Sequence, residues 1–321
     1  MFSYLVKRLL QMCLLMLTVA LLAFSMFQYL GDPINNMLPE SATQQERIEL
    51  RTRLGLNDPF LVQFWHFITR ICHGNFGISY HNQVDVFQLI MERLPATLEL
   101  VAVSVAIALV IGLPLGVWSS ISKNRYLLGA VQFLSLIGVS LPSFLIGILL
   151  IIVFSVWLGW FPSSGRGEVV HIGFWSTGML SASGWRAVIL PAVSLSLFMI
   201  TLIMRLVRAE MLEVMRTDYI KFARARGISQ LRIWFRHALR NALLPVITII
   251  GLQIGGLIAF AIVTETVFQW PGMGLLFIQA INYVDIPVIA AYLVFISLIF
   301  IVINTVVDLL YFLIDPRMKH A

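Results

Sequence analysis

Six long apolar runs, separated by polar stretches, set the pattern of this chain. They fall at residues 9–30, 98–121, 127–160, 187–207, 242–264 and 288–312. A helix needs about 20 residues to cross the hydrocarbon core of a bilayer, so each run predicts one membrane-spanning helix. The third run is longer than one crossing needs, even with tilt, and Ser140-Leu141-Pro142-Ser143 interrupts it. Proline is tolerated inside membrane helices because neighbouring groups re-satisfy the freed backbone, so one kinked span is expected. The first run contains Ala23-Phe24-Ser25, a faint match to a signal-peptide cleavage site. Apolar residues continue beyond it, and an uncleaved anchor is expected.

The polar stretches differ in character. Residues 31–97 are too many for a hairpin between two spans. They open on Gly31-Asp32-Pro33, a turn, and continue into an expected helix over 41–54 with Ser41 as N-cap. A second stretch, 60–71, carries Phe60, Phe64, Trp65 and Phe67, and Gly74-Asn75-Phe76-Gly77 then reads as a turn. Two readings are open for Phe64, Trp65 and Phe67: ligand contact, or an interfacial helix resting on headgroups, which is favoured. His66, His73 and His81 fit no common metal-ligand spacing. Residues 161–186 are rich in Gly and Ser, with Trp175 and Trp185, and read as a surface loop.

The stretch between the fourth and fifth runs is the informative one. The fourth span is expected to continue as helix to about Met215. Thr217 is placed to cap a short helix over 218–226, Gly227 to stop it in a left-handed conformation, and Ser229 to cap the next helix. Small residues at Ala223 and Ala225, with apolar Tyr219, Ile220 and Phe222, shape this helix for close packing into a groove. A docking element for a soluble partner is favoured over a basic loop lying on anionic lipid.

Composition sharpens the picture. The 321 residues are 59% hydrophobic and 12% charged, with a mean hydropathy of +0.90; a soluble domain carries about 25% charged residues. This excludes an ordinary soluble enzyme, a disordered chain and a disulfide scaffold. Cys13 and Cys72 are poor partners, and no CxxC or Cys/His ligand spacing occurs. With six spans and both termini on one side, 15 of the 22 Lys and Arg fall on that side, nine of them between Arg205 and Arg240. Basic residues accumulate in the cytoplasm, so both termini are expected there. The formal net charge of +6 resolves into +11 on the inner regions, −3 on the outer regions and −2 within spans. It points to orientation and partner contact, and not to nucleic acid.

Against this background the segment from Asp218 to Gly227 (DYIKFARARG), followed by RHALRNALLP over 236–245, resembles the cytoplasmic signature of bacterial ABC importer permeases. It is most similar to the dipeptide/oligopeptide/nickel branch. Gly31-Asp32-Pro33, Leu54-Gly55-Leu56, Gly77-Ile78-Ser79, Pro95-Ala96-Thr97-Leu98-Glu99, Thr264-Glu265-Thr266-Val267-Phe268, Trp270-Pro271-Gly272-Met273-Gly274 and Asp315-Pro316-Arg317 extend the match over nearly the whole chain. The general importer signature begins Glu-Ala-Ala six residues before its glycine, where this chain has Lys221, Phe222 and Ala223. It places proline thirteen residues after the glycine, where Arg240 stands. The peptide/nickel branch has this altered form.

The resemblance implies an all-α polytopic membrane protein of type I importer permease fold, with six transmembrane helices and a sizeable periplasmic insertion between the first two. The implied organisation is a stub and first span over 1–30, a periplasmic region over 31–97, and a permease core over 98–321 with a coupling loop at 208–241. It implies a homologous second permease subunit, two ATP-binding subunits inside and a periplasmic substrate-binding protein outside. Tyr219, Ile220, Ala223, Arg224, Ala225 and Gly227 would couple to the ATPase. The chain has no GxxxxGK[ST] phosphate loop, so ATP and magnesium are expected on the partner subunits and no cofactor on this chain. Dipeptides, longer peptides, glutathione and nickel chelates are the family's substrates; peptide is expected.

Some residues stay open at this level. Asp308, near the end of the last span, is expected to pair with Arg205 or Arg208. Glu265, with Phe268 and Trp270, either faces the translocation path or the binding protein, or is a solvated helix end. Gly112, Pro114 and Pro142 are expected to serve packing and kinks. An ion-coupled secondary transporter or a membrane scaffold is the competing class, but no internal repeat and few midplane charges support it.

Overall fold

A computed structural model describes residues 2–29, 43–53 and 57–314. The helices are α1 (Phe2–Tyr29), α2 (Gln44–Arg53), α3 (Phe60–Cys72), α4 (Val86–Ile121), α5 (Arg125–Ser140) and α6 (Ser143–Leu150). After a π-helical stretch at Ile151–Trp157 come strands β1 (Val170–Ile172) and β2 (Trp175–Thr177). Then follow α7 (Ala182–Val214), α8 (Asp218–Ala225), α9 (Gln230–Arg232), a second π-helical stretch at Ile233–Ala238, α10 (Leu239–Val267), α11 (Met273–Asn282) and α12 (Ile286–Ile314).

Among the described residues four helical segments are long and apolar enough to cross a membrane: Val86–Ile121, Ala182–Val214, Pro245–Val267 and Ile286–Val307. The third apolar run, expected as one kinked span, is sharply bent. It breaks at Leu141-Pro142 into two arms bent by 109°, and it makes a fifth crossing if the pair is one broken span. Proline explains the break: it disfavours helix in the residue before it and lacks the N–H that would continue the ladder. The first run forms α1, an apolar helix of 28 residues whose described side chains are those of Leu10–Met26. The described residues thus carry four or five of the six expected spans.

The contacts divide the chain into two units, residues 1–95 with 272–301, and residues 96–271 with 302–321. The first unit is built on aromatic packing. Phe24 of α1 meets Phe60, Phe64 and Phe67 of α3 at ring-centre distances of 5.1, 5.6 and 5.4 Å. Ala20, Ala23 and Ala290 complete the cluster. The residues read as an interfacial or ligand-binding aromatic group are therefore mostly core: Phe67 is buried, Phe64 packs against it, and only Trp65 points out. The reason is amphipathicity, since Phe60, Phe64 and Phe67 recur at helical spacing and share one face. Thr43 stands just ahead of α2, and Ser41, the expected N-cap, lies outside the described residues. Thr43 and Glu46 close a reciprocal capping box, with Thr43 N–H donating to Glu46 Oε2 at 2.8 Å.

In the second unit α7 is the most buried helix. It packs against α5, α6 and α10. Glycines let backbones approach: a Cβ at Gly116 of α4 would lie 2.6 Å from Val207, and one at Gly251 of α10 would lie 2.2 Å from Val307 of α12. Gly112 has the packing role expected of it, since a Cβ there would stand 3.1 Å from Ile203.

Candidate functional site

α10 joins two candidate regions of the second unit, one at each of its ends. At its start lies the basic loop. α7 ends at Val214, and the Thr217 hydroxyl donates back to the Val214 carbonyl at 2.7 Å. Thr217 stands at the N-cap of α8, yet its side chain serves the preceding helix, so the expected side-chain cap is not formed. α8 buries Ile220 and Ala223 and exposes Tyr219, Phe222, Arg224 and Ala225. Gly227 closes it in a Schellman motif: φ is +73°, Gly227 N–H donates to Arg224 O at 2.9 Å, and Ile228 N–H donates to Ala223 O at 3.3 Å. An added Cβ at Gly227 would meet nothing within 4 Å, so glycine is needed here for its backbone and not for space.

Of the six residues assigned to coupling, Ile220 and Ala223 thus face into the chain. Phe222, 63% exposed with the Arg226 guanidinium 5.8 Å from its ring centre, is the outward apolar residue. The Tyr219 hydroxyl is hydrogen-bonded to His237 Nδ1, a residue of the 236–245 segment to which the sequence pattern assigned no individual role. Arg205 is exposed and Arg208 half-buried, and neither makes an ion pair among the described residues. The side chain of Asp308, their expected partner, lies outside the described ones.

At the far end of α10 the polar groups are buried. Glu265 is fully buried and accepts the Thr97 hydroxyl at 2.7 Å. Trp270, 1% exposed, donates its indole N–H to Ala96 O at 2.9 Å. Phe268, also buried, accepts Gly165 N–H through its carbonyl at 3.0 Å. Glu265 is therefore not a solvated helix end, and none of the three presents a surface to a partner in this conformation. Burial follows from the turn they form, which folds Trp270 back beneath α10 through Trp270 N–H to Glu265 O at 2.8 Å.

The stretch read as a plain surface loop supplies the neighbouring ion pair. Arg166 is buried and donates to Glu99 Oε2 at 2.5 Å, to Ser176 O at 2.6 Å and to Ser176 Oγ at 3.1 Å. Trp175 Nε1–H reaches Glu99 Oε1 at 3.3 Å. The guanidinium carbon lies 5.9 Å from the Trp270 ring centre, within cation–π reach. One signal pointed to this pair: a carboxylate at the boundary of a span needs a partner, and Glu99 is such a residue. The pair fixes the β1–β2 hairpin, whose three-residue strands would be marginal alone.

Known proteins share this chain's pattern from end to end. Residues 112–320 match the family of binding-protein-dependent transport system inner membrane components, and residues 1–101 match the N-terminal family of such membrane components. The chain belongs to this permease family. Membership makes it a multi-pass inner-membrane subunit of an ABC importer that works with other importer components. The permease is 36% identical, over the full length of both chains, to the dipeptide transport system permease protein DppB of Alkalihalophilus pseudofirmus. It is 37% identical, again over both full lengths, to the glutathione transport system permease protein GsiC of Salmonella choleraesuis. A structure of the MetNI methionine ABC transporter in inward-facing form superposes with a TM-score of 0.55 at 20% identity, covering 71% of this permease and 96% of that chain; it supports the type I permease fold.

Proposed function

We propose that this permease forms half of a translocation pathway for di- or oligopeptides handed over by a periplasmic binding protein, and that ATP and magnesium are used on two partner ATPase subunits. A homologous second permease completes the pathway. The observation that carries this reading is α8: a short helix fixed by a glycine stop, with Phe222 and Arg226 turned out from a basic loop. Tyr219, Arg224, Ala225 and Gly227 lie on or beside its exposed side, while Ile220 and Ala223 seat it on its own chain. In this reading both termini and α8 are cytoplasmic, as the accumulation of 15 basic residues supports. The segment 31–97 is periplasmic and 98–321 is the permease core. ATP binding shifts the paired ATPases, and α8 passes that movement to the spans, biasing them between two openings. Glu265, Phe268 and Trp270 hold the far end of α10 in one of these.

The name of the DppB relative favours peptides. Glutathione is a second reading, favoured by GsiC at a similar identity. Reconstitution of the permease with its co-encoded partners and binding protein in proteoliposomes tests both. ATP-dependent uptake of a labelled dipeptide is expected. Uptake of glutathione but no peptide selects the second reading, and uptake that ignores ATP overturns the proposal.

A further inference from the structure

α8 touches the helix that leads into α10 in two ways. One is an apolar seam, in which Ile220, Ile233 and Ala238 are buried. The other is the hydrogen bond between Tyr219 Oη and His237 Nδ1, with the two rings edge-on at 5.6 Å between centres. Among the described residues this is the single side-chain hydrogen bond joining α8 to that helix. An apolar seam resists separation but has no direction, so it lets one helix slide over another. A hydrogen bond is directional and fixes the sliding register.

His237 also sits where the backbone is unusual. Residues Ile233–Ala238 are π-helical, and this stretch runs without a break into α10. π-helical turns inside α-helices are frequent at functional sites. Tyr219 is therefore tied to a segment whose ladder is already altered, one continuous helix away from Glu265 and Trp270.

We propose that the Tyr219–His237 pair is the strut that converts movement of α8 into movement of α10, so that both are positioning residues for transport. This rests on the reading of α8 as the coupling element. The bond needs no particular charge on His237. Nδ1 accepts from the tyrosine hydroxyl when neutral and donates to its oxygen when protonated.

The test is the ratio of peptide imported to ATP hydrolysed, measured in the reconstituted importer. Tyr219→Phe removes one oxygen and keeps the ring. It should lower the ratio about fivefold, the size of one hydrogen bond, in a complex that still assembles and hydrolyses ATP. His237→Ala should lower it equally, and the double variant no further. His237→Gln, which can still pair with the tyrosine, should recover most of the ratio. A wild-type ratio in Tyr219→Phe overturns the strut, and so do losses that multiply in the double variant or a His237→Gln as poor as His237→Ala. A wild-type complex that imports nothing with ATP fails earlier, and overturns the functional reading itself.

Discussion

The two ends of α10 lie beside helix stops of the same design, made by different means. At the basic loop α8 ends on Gly227 with φ of +73°. At the other end α10 itself ends on Gln269 with φ of +46°, with Gln269 N–H to Thr266 O at 3.3 Å and Trp270 N–H to Glu265 O at 2.8 Å. Both are Schellman motifs. The first uses the one residue that adopts the left-handed conformation without strain, and its surroundings are open. The second places a side chain there at a cost of about 1–2 kcal/mol, and burial of Phe268 and Trp270 offsets it. One stop is therefore local and keeps its shape if α8 moves. The other depends on its packing and gives way if that packing opens.

The largest expected effect comes from removing that packing. Arg166→Met leaves Glu99 buried without its cation, and breaking a buried pair costs about 3–5 kcal/mol. Thermal unfolding of the detergent-solubilised permease should show a large loss. Glu99→Gln with Arg166→Met removes both charges and should recover much of it. A single variant as stable as wild type would show that the pair does not hold this end together.

Next come two substitutions that exchange the stops. Gly227→Val puts a β-branched residue at positive φ and should cost about 1–2 kcal/mol locally. The permease should still insert, but ATP hydrolysis should no longer drive uptake. Normal transport by this variant would remove the reason for the glycine. Gln269→Gly relieves the strain at the other end and should raise stability by about 1 kcal/mol or less, since it also frees the unfolded chain. Equal behaviour of the two stops would break the comparison.

This contrast also shows what the sequence could convey. Gly227 was readable because its residue type matches its backbone. Gln269 and Val284, at φ of +46° and +54°, were not, since nothing about glutamine or valine announces a left-handed turn. They become intelligible only with Trp270 and Asp285 buried beside them. The spans over α4, α7, α10 and α12 were legible because hydropathy is summed over many residues, whereas Arg166 with Glu99, 67 positions apart, is a tertiary pairing. Tyr219 was legible as an apolar residue of the short helix in the basic loop, but His237 was not legible as its partner.

The first unit offers a smaller test of the same rule, that packing sets the chemistry away from the basic loop. Tyr80 lies beside Asp285, whose carboxylate accepts Tyr80 N–H at 3.1 Å and the Ser79 hydroxyl at 2.5 Å. Burial, and then the Asp285 charge, push the Tyr80 phenol up to about 12, with Arg70 opposing. A phenol whose folded value is raised contributes stability in full below its ordinary value of 10.0. That contribution is lost as pH rises towards 12. Tyrosinate absorbance should show a late-titrating phenol that is absent in Tyr80→Phe, and Asp285→Asn should bring it part of the way down. Titration of Tyr80 with the exposed tyrosines would mean that its loop is open.

The smallest effect belongs to Glu46, which is fully exposed and owes its shift to hydrogen bonding alone. The Thr43 backbone N–H, and then the Thr43 side chain, hold its carboxyl below the ordinary 4.5. A carboxylate lowered in the folded state stabilises above its ordinary value, and that contribution fades as pH falls through the lowered one. The carboxyl resonance of Glu46 should therefore titrate below 4.5 in the intact permease. Thr43→Ala removes the hydroxyl and keeps the backbone donor, so the midpoint should rise only part of the way. Thr43→Pro removes the backbone donor and should raise it further. A midpoint already at 4.5 in wild type would mean that the capping box is not held in solution. In that case hydrogen bonding without burial would be too weak to set the chemistry of this exposed group.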